Sequence, residues 1–462
     1  MSARRAANFN LRRPSLPTTL RRLARYLVTY PQQVTEQLTA LTATKLAALI
    51  SEGEVSAAEV VDAHLARIDE LNGATNAVVR LAPDARDRAA EVDRRRRTGA
   101  ELGPLEGVPF TVKDIIDVAG LPTTLGLPAR AKAVAESDAT IVARLRRAGA
   151  IVLGKTNCPP GGSGGDSNNE LFGRTRNPYD LERIAGGSSG GEAAAIAGSM
   201  TPIGLGSDSG GSLRMPAHYC GVATLKPTAG LLPLTGVLDE DGQIGAMADP
   251  RTQPGPLARR VEDLATLLPI LAGPDGIDAG VAPVALGDSA SVELRGRRFI
   301  VHALDGKDSP DAGTTRALAD AAGALVAAGA QRVDTALPDG GHDLTERVWA
   351  SYRGELSSLD LYEVLYEWDR YRTRMLGFLT TGIDLVLSPV AAGPAPLVGE
   401  PVDFRYTTPF SLTGWPSVVV RAGQSDGMPV GVQLIAGPWL DHLALAAAAH
   451  IESELGGWQP PP

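Results

Sequence analysis

Residues 186–216 read GGSSGGEAAAIAGSMTPIGLGSDSGGSLRMP, with glycine–serine turns on either side of a short helix and a short strand. Helix-forming residues from Glu192 to Gly198 place GGSSGG at the front of a helix, and PIGLG predicts a strand that leads into SDSGGS. Glycine permits the backbone conformations that leave N–H groups pointing outward. A serine in such a turn can act as a nucleophile beside its own oxyanion hole, so the pattern favours serine chemistry.

Two other interpretations of the glycine-rich turns are weaker. A flexible Gly/Ser linker would not need the helix and strand that follow it at once. A phosphate-binding loop is disfavoured because the chain has no GxxxxGK[ST] motif. It also has no GxGxxG that opens a βαβ unit and is followed by an acidic residue.

Such a serine needs a base, and the choice lies between histidine and lysine. His218 follows Ser212 by six residues on a predicted helix, where we expect a packed structural side chain, and no GxSxG elbow is present. A desolvated lysine can lose its proton near neutral pH, whereas arginine cannot. Lys113 follows the apolar run GVPFTV, so the residues alone leave a buried base and a solvated surface charge equally open.

With these segments in view, the chain resembles the amidase signature family, serine hydrolases with a Ser–cis-Ser–Lys triad. GPLEGVPFTVKDIIDVAGLPTT (103–124) resembles the lysine segment of the family, and DATIVARLRRAGAIVLGKTN (138–157) and FGRTRNPYD (172–180) resemble its next two blocks. GGSSGGEAAAIAG with LGSDSGGSLRMPAHYCGVATLKPTAG (205–230) resembles the signature itself. TPFSLTGWPSVVV and DGMPVGVQLIAG complete a resemblance that covers about residues 39 to 455.

The resemblance implies roles for individual residues. Ser212 falls on the acyl-enzyme nucleophile, Ser188 on the bridging serine that follows a cis peptide bond, and Lys113 on the base. The oxyanion hole would be the backbone N–H groups of Ser209, Gly210, Gly211 and Ser212. Three neighbours would support the site: Ser189 by a hydrogen bond to Lys113 or Ser188, and Asp208 with Arg214 as a buried pair that shapes the turn. Lys155 and Lys226 match family positions, and we expect structural roles for them.

The implied activity is hydrolysis of the C–N bond of a small-molecule carboxamide or N-acyl amine, with release of ammonia or an amine. The relay requires no metal and no organic cofactor. Ester cleavage at the same site is left open. Two alternatives remain: the glutaminase component of a tRNA-dependent amidotransferase, which would need a partner and a substrate-binding arginine and aspartate, and a catalytically idle binding or scaffold homologue.

Alternating strand-like runs and alanine-rich helical stretches predict an α/β fold around one large sheet. The family resemblance implies a single mixed sheet of about eleven strands with helices on both faces. We expect a catalytic domain over residues 39–458. We also expect residues 1–38 to form a separate N-terminal extension, basic and helical, for which packing against the domain is favoured over contact with a membrane or another protein.

Composition bounds the remaining properties. The net charge of −9 gives no reason to expect nucleic-acid binding. Two cysteines suit a reducing compartment, and the chain has no secretory h-region and no apolar run long enough for a transmembrane helix. We therefore expect a cytoplasmic protein that acts on a small-molecule amide, with homodimerisation left open.

Two segments bear on the substrate. Residues 349–378 concentrate aromatic side chains; core packing is the default for Tyr362, Tyr366 and Trp368, and the segment is also a candidate for part of the substrate wall. Residues 161–169, GGSGGDSNN, depart from the family pattern in a stretch that often lines the pocket. The resemblance therefore leaves the identity of the amide open.

Overall fold

An eleven-stranded sheet forms the centre of the computed structural model, which describes residues 36–239, 242–243, 251–304, 309–352 and 354–462. Across the sheet the strands lie in the order β1-β3-β2-β4-β6-β5-β10-β11-β9-β7-β8. In chain order they are β1 Val78–Leu81, β2 Pro109–Lys113, β3 Ile151–Thr156, β4 Ile203–Asp208, β5 Ala223–Lys226, β6 Gln253–Ala258, β7 Arg298–Val301, β8 Gln331–Arg332, β9 Leu385–Pro389, β10 Ser417–Ser425 and β11 Met428–Ala436.

The sheet is mixed, as the resemblance implied. Strand β2 runs parallel to both β3 and β4, and β7 runs parallel to both β8 and β9. The other neighbouring pairs are antiparallel. Because β2 and β4 are parallel neighbours, with Val112 opposite Leu205, the residues at their carboxyl ends meet at one edge of the sheet.

Helices cover the sheet. The main ones are α1 Ala43–Glu52, α2 Ala57–Thr75, α3 Ala85–Arg97, α4 Thr140–Arg147, α5 Gly190–Ala197, α6 Arg214–Tyr219, α7 Val261–Leu271, α8 Ala312–Ala327, α9 Gly341–Tyr352, α10 Ser358–Leu379, α11 Thr408–Thr413 and α12 Asp441–Leu455. Successive side chains of a strand point to opposite faces, and every residue of β2, β4 and β11 is buried. Both faces of the sheet are therefore covered, as expected for strands that read as continuous apolar runs.

Local sequence explains the helix starts that matter for the site. Helix α2 begins with a capping box, in which the Ser56 hydroxyl accepts from the Glu59 N–H at 3.1 Å and the Ser56 N–H donates to the Glu59 carboxylate at 2.8 Å. Helix α5 begins directly after GGSS, and all eight of its residues are buried. Its small alanine side chains allow it to pack tightly in this position, which fixes the turn in front of it.

The main hydrophobic core includes side chains from Leu38 to Trp458, and a smaller cluster lies beneath α9, α10 and α11. The domain limits at residues 38/39 and 458 stay a prediction. Residues 1–35, which carry the predicted basic extension, lie outside the described residues. In the part of the chain that the structure describes, no helix combines the length and apolar character needed to cross a membrane.

Candidate active site

Three segments that carry serine or lysine meet at the carboxyl edge of β2 and β4. Lys113 is the last residue of β2, Asp208 is the last residue of β4, and the turn 209–212 begins where β4 ends. The turn 186–189 precedes α5. The N–H of Ser189 donates to the carbonyl of Ser212 at 3.1 Å, so the two serine turns are joined directly.

Lys113 is fully buried and contacts two serines. Its Nζ lies 2.6 Å from Ser188 Oγ and 2.9 Å from Ser207 Oγ. Burial lowers the pKa of Lys113 to about 8, and this desolvation outweighs the opposing influence of nearby Cys158, Asp208 and Glu192. The buried environment expected from the apolar run before Lys113 is confirmed, and the amine can hold or release a proton near neutral pH.

The turn that carries Ser188 has the backbone form that the resemblance implied, since the Gly187–Ser188 peptide bond is cis. The predicted hydrogen bond from Ser189 to Lys113 or Ser188 is wrong. The Ser189 hydroxyl instead donates to the carbonyl of Ser207 at 3.2 Å and accepts from its N–H at 3.4 Å. Ser189 therefore supports Lys113 indirectly, by holding the backbone of the residue whose hydroxyl does contact the lysine.

Sequence reasoning missed Ser207. It is the residue before Asp208 in LGSDSGGS, and nothing in its local pattern distinguishes it from the other serines of that turn. The signal is topological, because only the parallel pairing of β2 with β4 brings Ser207 beside Lys113.

Ser212 is partly exposed and lines a cavity of about 200 Å³. Among the described residues, no hydrogen bond joins its hydroxyl to Ser188, although Ser188 is bonded to Lys113. The structure thus brings Lys113 and Ser188 into contact and places Ser212 on the neighbouring turn. Hydrogen bonds of catalytic groups are often long or poorly aligned until a substrate binds.

The backbone of the turn 209–212 is asymmetric in its hydrogen bonding. The carbonyl of Gly210 accepts from Thr407 Oγ1 at 2.6 Å, and that of Gly211 accepts from the Met215 N–H at 2.7 Å. Within the described residues, the N–H groups of Ser209, Gly210, Gly211 and Ser212 have no acceptor. Buried or half-buried N–H groups are rarely left without a partner, so this turn can supply donors to an oxygen held in the cavity.

Asp208 and Arg214 form the predicted buried pair. Both side chains are fully buried, and the guanidinium makes two hydrogen bonds of 3.0 Å to the carboxylate. Arg214 also donates to the Thr407 carbonyl at 2.8 Å and to Ser411 Oγ at 2.6 Å. Burial opposes ionisation of Asp208, but the pairing with Arg214 prevails and holds the pKa of Asp208 below its usual range.

Glu192, in the first turn of α5, lies fully buried behind the lysine strand. Thr111 Oγ1 donates to its carboxyl at 2.6 Å and Thr156 Oγ1 donates at 2.7 Å. Burial raises the pKa of Glu192 to about 8, although both hydroxyls favour the ionised form. The carboxyl therefore links α5, β2 and β3 beside the base.

The cavity at Ser212 has a mixed lining. Gly161 to Gly164 form one wall, so the unusual GGSGG stretch does lie at the pocket. The remaining walls are Ile115, Ser207, Ser209, Gly210, Leu238, Asp239, Arg251, Thr252, Trp349 and Phe404.

The aromatic segment 349–378 contributes one residue to this cavity, Trp349. The default of core packing is confirmed for Trp368, whose Nε1–H donates to the Leu412 carbonyl at 2.6 Å. It is wrong for Tyr362 and Tyr366, which are exposed. These tyrosines lie on the outer face of α10, because Trp368 and the other buried residues of the helix occupy its inner face.

The remaining candidates are structural. His218 is buried and packed as predicted; its Nε2 lies 3.0 Å from the Gly393 carbonyl, and burial lowers its pKa. Lys155 donates to the Ile116 carbonyl at 2.5 Å and lies 3.4 Å from Asp114, and Lys226 donates to the carbonyl of Pro227 at 3.1 Å. In the described ranges, no group of three or more His, Cys, Asp or Glu side chains could hold a metal ion.

Comparison with known proteins gives a consistent result. The family model described as Amidase matches residues 59–358 and 342–445. The chain is 35% identical to an acylamidase from Rhodococcus erythropolis, over 89% of this chain and 95% of the relative. It is 32% identical to human fatty-acid amide hydrolase 2, over 93% and 91%. The glutamyl-tRNA(Gln) amidotransferase component of type A from Salinispora arenicola is 33% identical, over 92% and 99%.

A solved structure agrees with these relatives. The crystal structure of a bacterial aryl acylamidase of the amidase signature family superposes with a TM-score of 0.78. The two chains are 26% identical, and the superposition covers 90% of this chain and 96% of that one. Sequence and fold therefore point to the same family.

Proposed function

This chain belongs to the amidase signature family of amide-hydrolysing enzymes, and we propose that it cleaves a small-molecule carboxamide or N-acyl amine through an acyl-enzyme on Ser212. The observation that carries the proposal is the buried contact of 2.6 Å between Lys113 Nζ and Ser188 Oγ, on the turn that neighbours that of Ser212. The names of the acylamidase and aryl acylamidase relatives support an N-acyl amine as substrate.

Proton transfer begins at the lysine. Neutral Lys113 accepts the proton of the Ser188 hydroxyl as Ser188 accepts that of Ser212, whose side chain turns toward Ser188 when substrate binds. The lowered pKa of Lys113 makes this direction of transfer accessible near neutral pH. Ser207, at 2.9 Å from Nζ, holds the amine in place during the exchange.

Attack by Ser212 Oγ on the amide carbonyl forms a C–O bond and moves the carbonyl electron pair onto oxygen. The N–H groups of residues 209–212, which have no acceptor within the described part of the chain, would stabilise that oxyanion. Removal of a single donor of this kind typically costs about 2.7–4 kcal/mol of barrier. These donors lie on a turn whose carbonyls are already engaged, so little reorganisation is needed.

The relay then runs in reverse. Lys113 returns its proton through Ser188 to the amide nitrogen, the C–N bond breaks, and ammonia or an amine leaves. Water next gives a proton to the same relay and adds to the acyl carbonyl, which releases the carboxylic acid and restores Ser212. Every step uses side chains of this chain.

The test combines labelling with turnover. A fluorophosphonate probe should modify Ser212, as located by mass spectrometry, and a panel of amides scored by amine or ammonia release should identify a substrate. Ser212→Ala and Ser188→Ala should each lower turnover by at least about 10³-fold. Ser137→Ala, at an exposed serine, is the matched control. Labelling at another residue, or full turnover by Ser212→Ala, would contradict the proposal.

A second candidate is the glutaminase component of a tRNA-dependent amidotransferase. It is favoured by the 33% identity to a protein of that kind and by Asp239 and Arg251, which supply at the cavity the opposite charges that an α-amino acid would need. Glutamine hydrolysis that appears only when a partner protein co-purifies would select this function. Cleavage of N-acyl amines by the isolated chain would select the first.

A further inference from the structure

Trp349 lies between two cavities. The first is the cavity of about 200 Å³ that contains Ser212. The second, of about 360 Å³, is lined by segments of α9 and by the chain before α11. Trp349 and Phe404 line both, so these two rings form the wall that the cavities share.

The indole is held firmly against the nucleophile turn. The Arg251 guanidinium carbon lies 4.8 Å from the centre of its ring, in the range of a cation–π contact. On the other side, a methyl group placed on Gly210 would lie only 2.9 Å from Trp349 Cζ2. The ring therefore touches the turn that offers the N–H donors, at a position where only glycine leaves room for it.

The second cavity differs in character from the first. Its rim carries charged side chains, with Asp403 and Arg405 paired at 3.3 Å and Asp343 and Glu346 on α9. The first cavity is bounded instead by buried backbone and by Ile115, Leu238 and the two aromatic rings. The space beyond Trp349 is consequently an open polar cleft that continues the enclosed space at the nucleophile.

We propose that Trp349 is a specificity-determining residue that limits the acyl group bound at Ser212, and that the cleft behind it is a second acyl subsite closed off by the indole. This inference rests on the proposed function. The acyl group is the part of the substrate that stays on Ser212 through deacylation, so a wall beside Gly210 constrains it in both half-reactions. A long acyl chain meets the ring, whereas a short one does not.

Removal of the indole should join the two cavities. We expect the wild-type enzyme to prefer short acyl groups, and Trp349→Ala to accept longer chains that extend into the cleft. Differences of one or a few methylenes in an apolar pocket typically change the specificity constant by about 10–200-fold. Trp349→Phe keeps a smaller ring and should give an intermediate profile.

The experiment uses alkyl fluorophosphonates with two to ten carbons in the alkyl chain, because they report acyl-chain fit without knowledge of the natural amide. In the wild type, the second-order rate of Ser212 modification should fall by at least about tenfold from the shortest to the longest probe. In Trp349→Ala the fall should vanish or reverse. Trp439→Ala, at an exposed tryptophan outside both cavities, is the control and should keep the wild-type profile.

The outcomes separate this inference from the proposed function. If no probe modifies Ser212, the proposed function fails. If Ser212 reacts but the length profile is the same in the wild type and in Trp349→Ala, the nucleophile is correct and the role of Trp349 is refuted. Melting temperatures of both variants establish folding, and Trp349→Leu replaces Trp349→Ala if the latter is unfolded.

Discussion

The rate of hydrolysis should follow the deprotonation of Lys113. Its Nζ is fully buried, and desolvation lowers its pKa from 10.5 to about 8. Only the neutral amine can accept the Ser188 proton across the contact of 2.6 Å. The specificity constant kcat/KM should therefore rise with pH and level off once Lys113 is neutral.

The size of the effect follows from the pKa. With a value of about 8, the neutral fraction of Lys113 is about one in a hundred at pH 6, one in ten at pH 7 and nine in ten at pH 9. The specificity constant should thus increase about ninetyfold between pH 6 and pH 9, with half of its limiting value near pH 8. A surface lysine of ordinary pKa would give a rise that continues beyond pH 10.

The assay measures initial rates between pH 6 and pH 10 with one neutral amide, after subtraction of the rate of Ser212→Ala at each pH. Lys113→Ala should lose at least about 10²-fold at the plateau. Lys132→Ala, at an exposed lysine, should retain the wild-type curve. A flat wild-type profile from pH 6 to pH 9, or full activity of Lys113→Ala, would refute the assignment of Lys113 as the base.

Three further outcomes are expected. Glu192→Gln should move the rising limb of the pH profile to lower pH, because the Glu192 carboxylate raises the pKa of the base; an unmoved limb would contradict this. Arg214→Met should destabilise the fold by about 3–5 kcal/mol in urea unfolding, since it leaves Asp208 buried without its partner, and Arg214→Met with Asp208→Leu should recover part of that loss. Trp368→Phe should cost about 1–3 kcal/mol in the same measurement, because the buried carbonyl of Leu412 loses its donor, and an unchanged unfolding midpoint would count against that bond.

Strands with plain apolar runs could be predicted from the sequence. GVPFTV, AIVLG, DLVLSPV and SVVVRAG all form strands of the central sheet. Strand β6, Gln253–Ala258, could not, because Pro254 and Pro256 remove two N–H donors from a strand that lies between two neighbours. Its pairing partners β4 and β5 lie on either side and are fixed by the rest of the sheet, so tertiary context overrides the local signal.

The site shows the same division between local and long-range information. The turns around Ser188 and Ser212 are local motifs, and their glycine pattern marks them directly. The contact of Ser207 with Lys113 joins residues 94 positions apart and depends on which strands are neighbours, which no local pattern encodes. On α10 the aromatic spacing predicted a helix, but not that Tyr362 and Tyr366 would face solvent.

The nucleophile turn is held at several points that come from distant parts of the chain. The Ser189 N–H fixes the carbonyl of Ser212, and Thr407 fixes that of Gly210. Arg214, held by Asp208 at the end of β4, reaches across to Ser411 on α11. A displacement of about 1 Å at a reacting group can cost about 10²-fold in rate, so these contacts matter to catalysis although none of them touches the substrate. The backbone N–H groups can serve an oxyanion because the carbonyls and side chains of the same turn carry the hydrogen bonds that hold it.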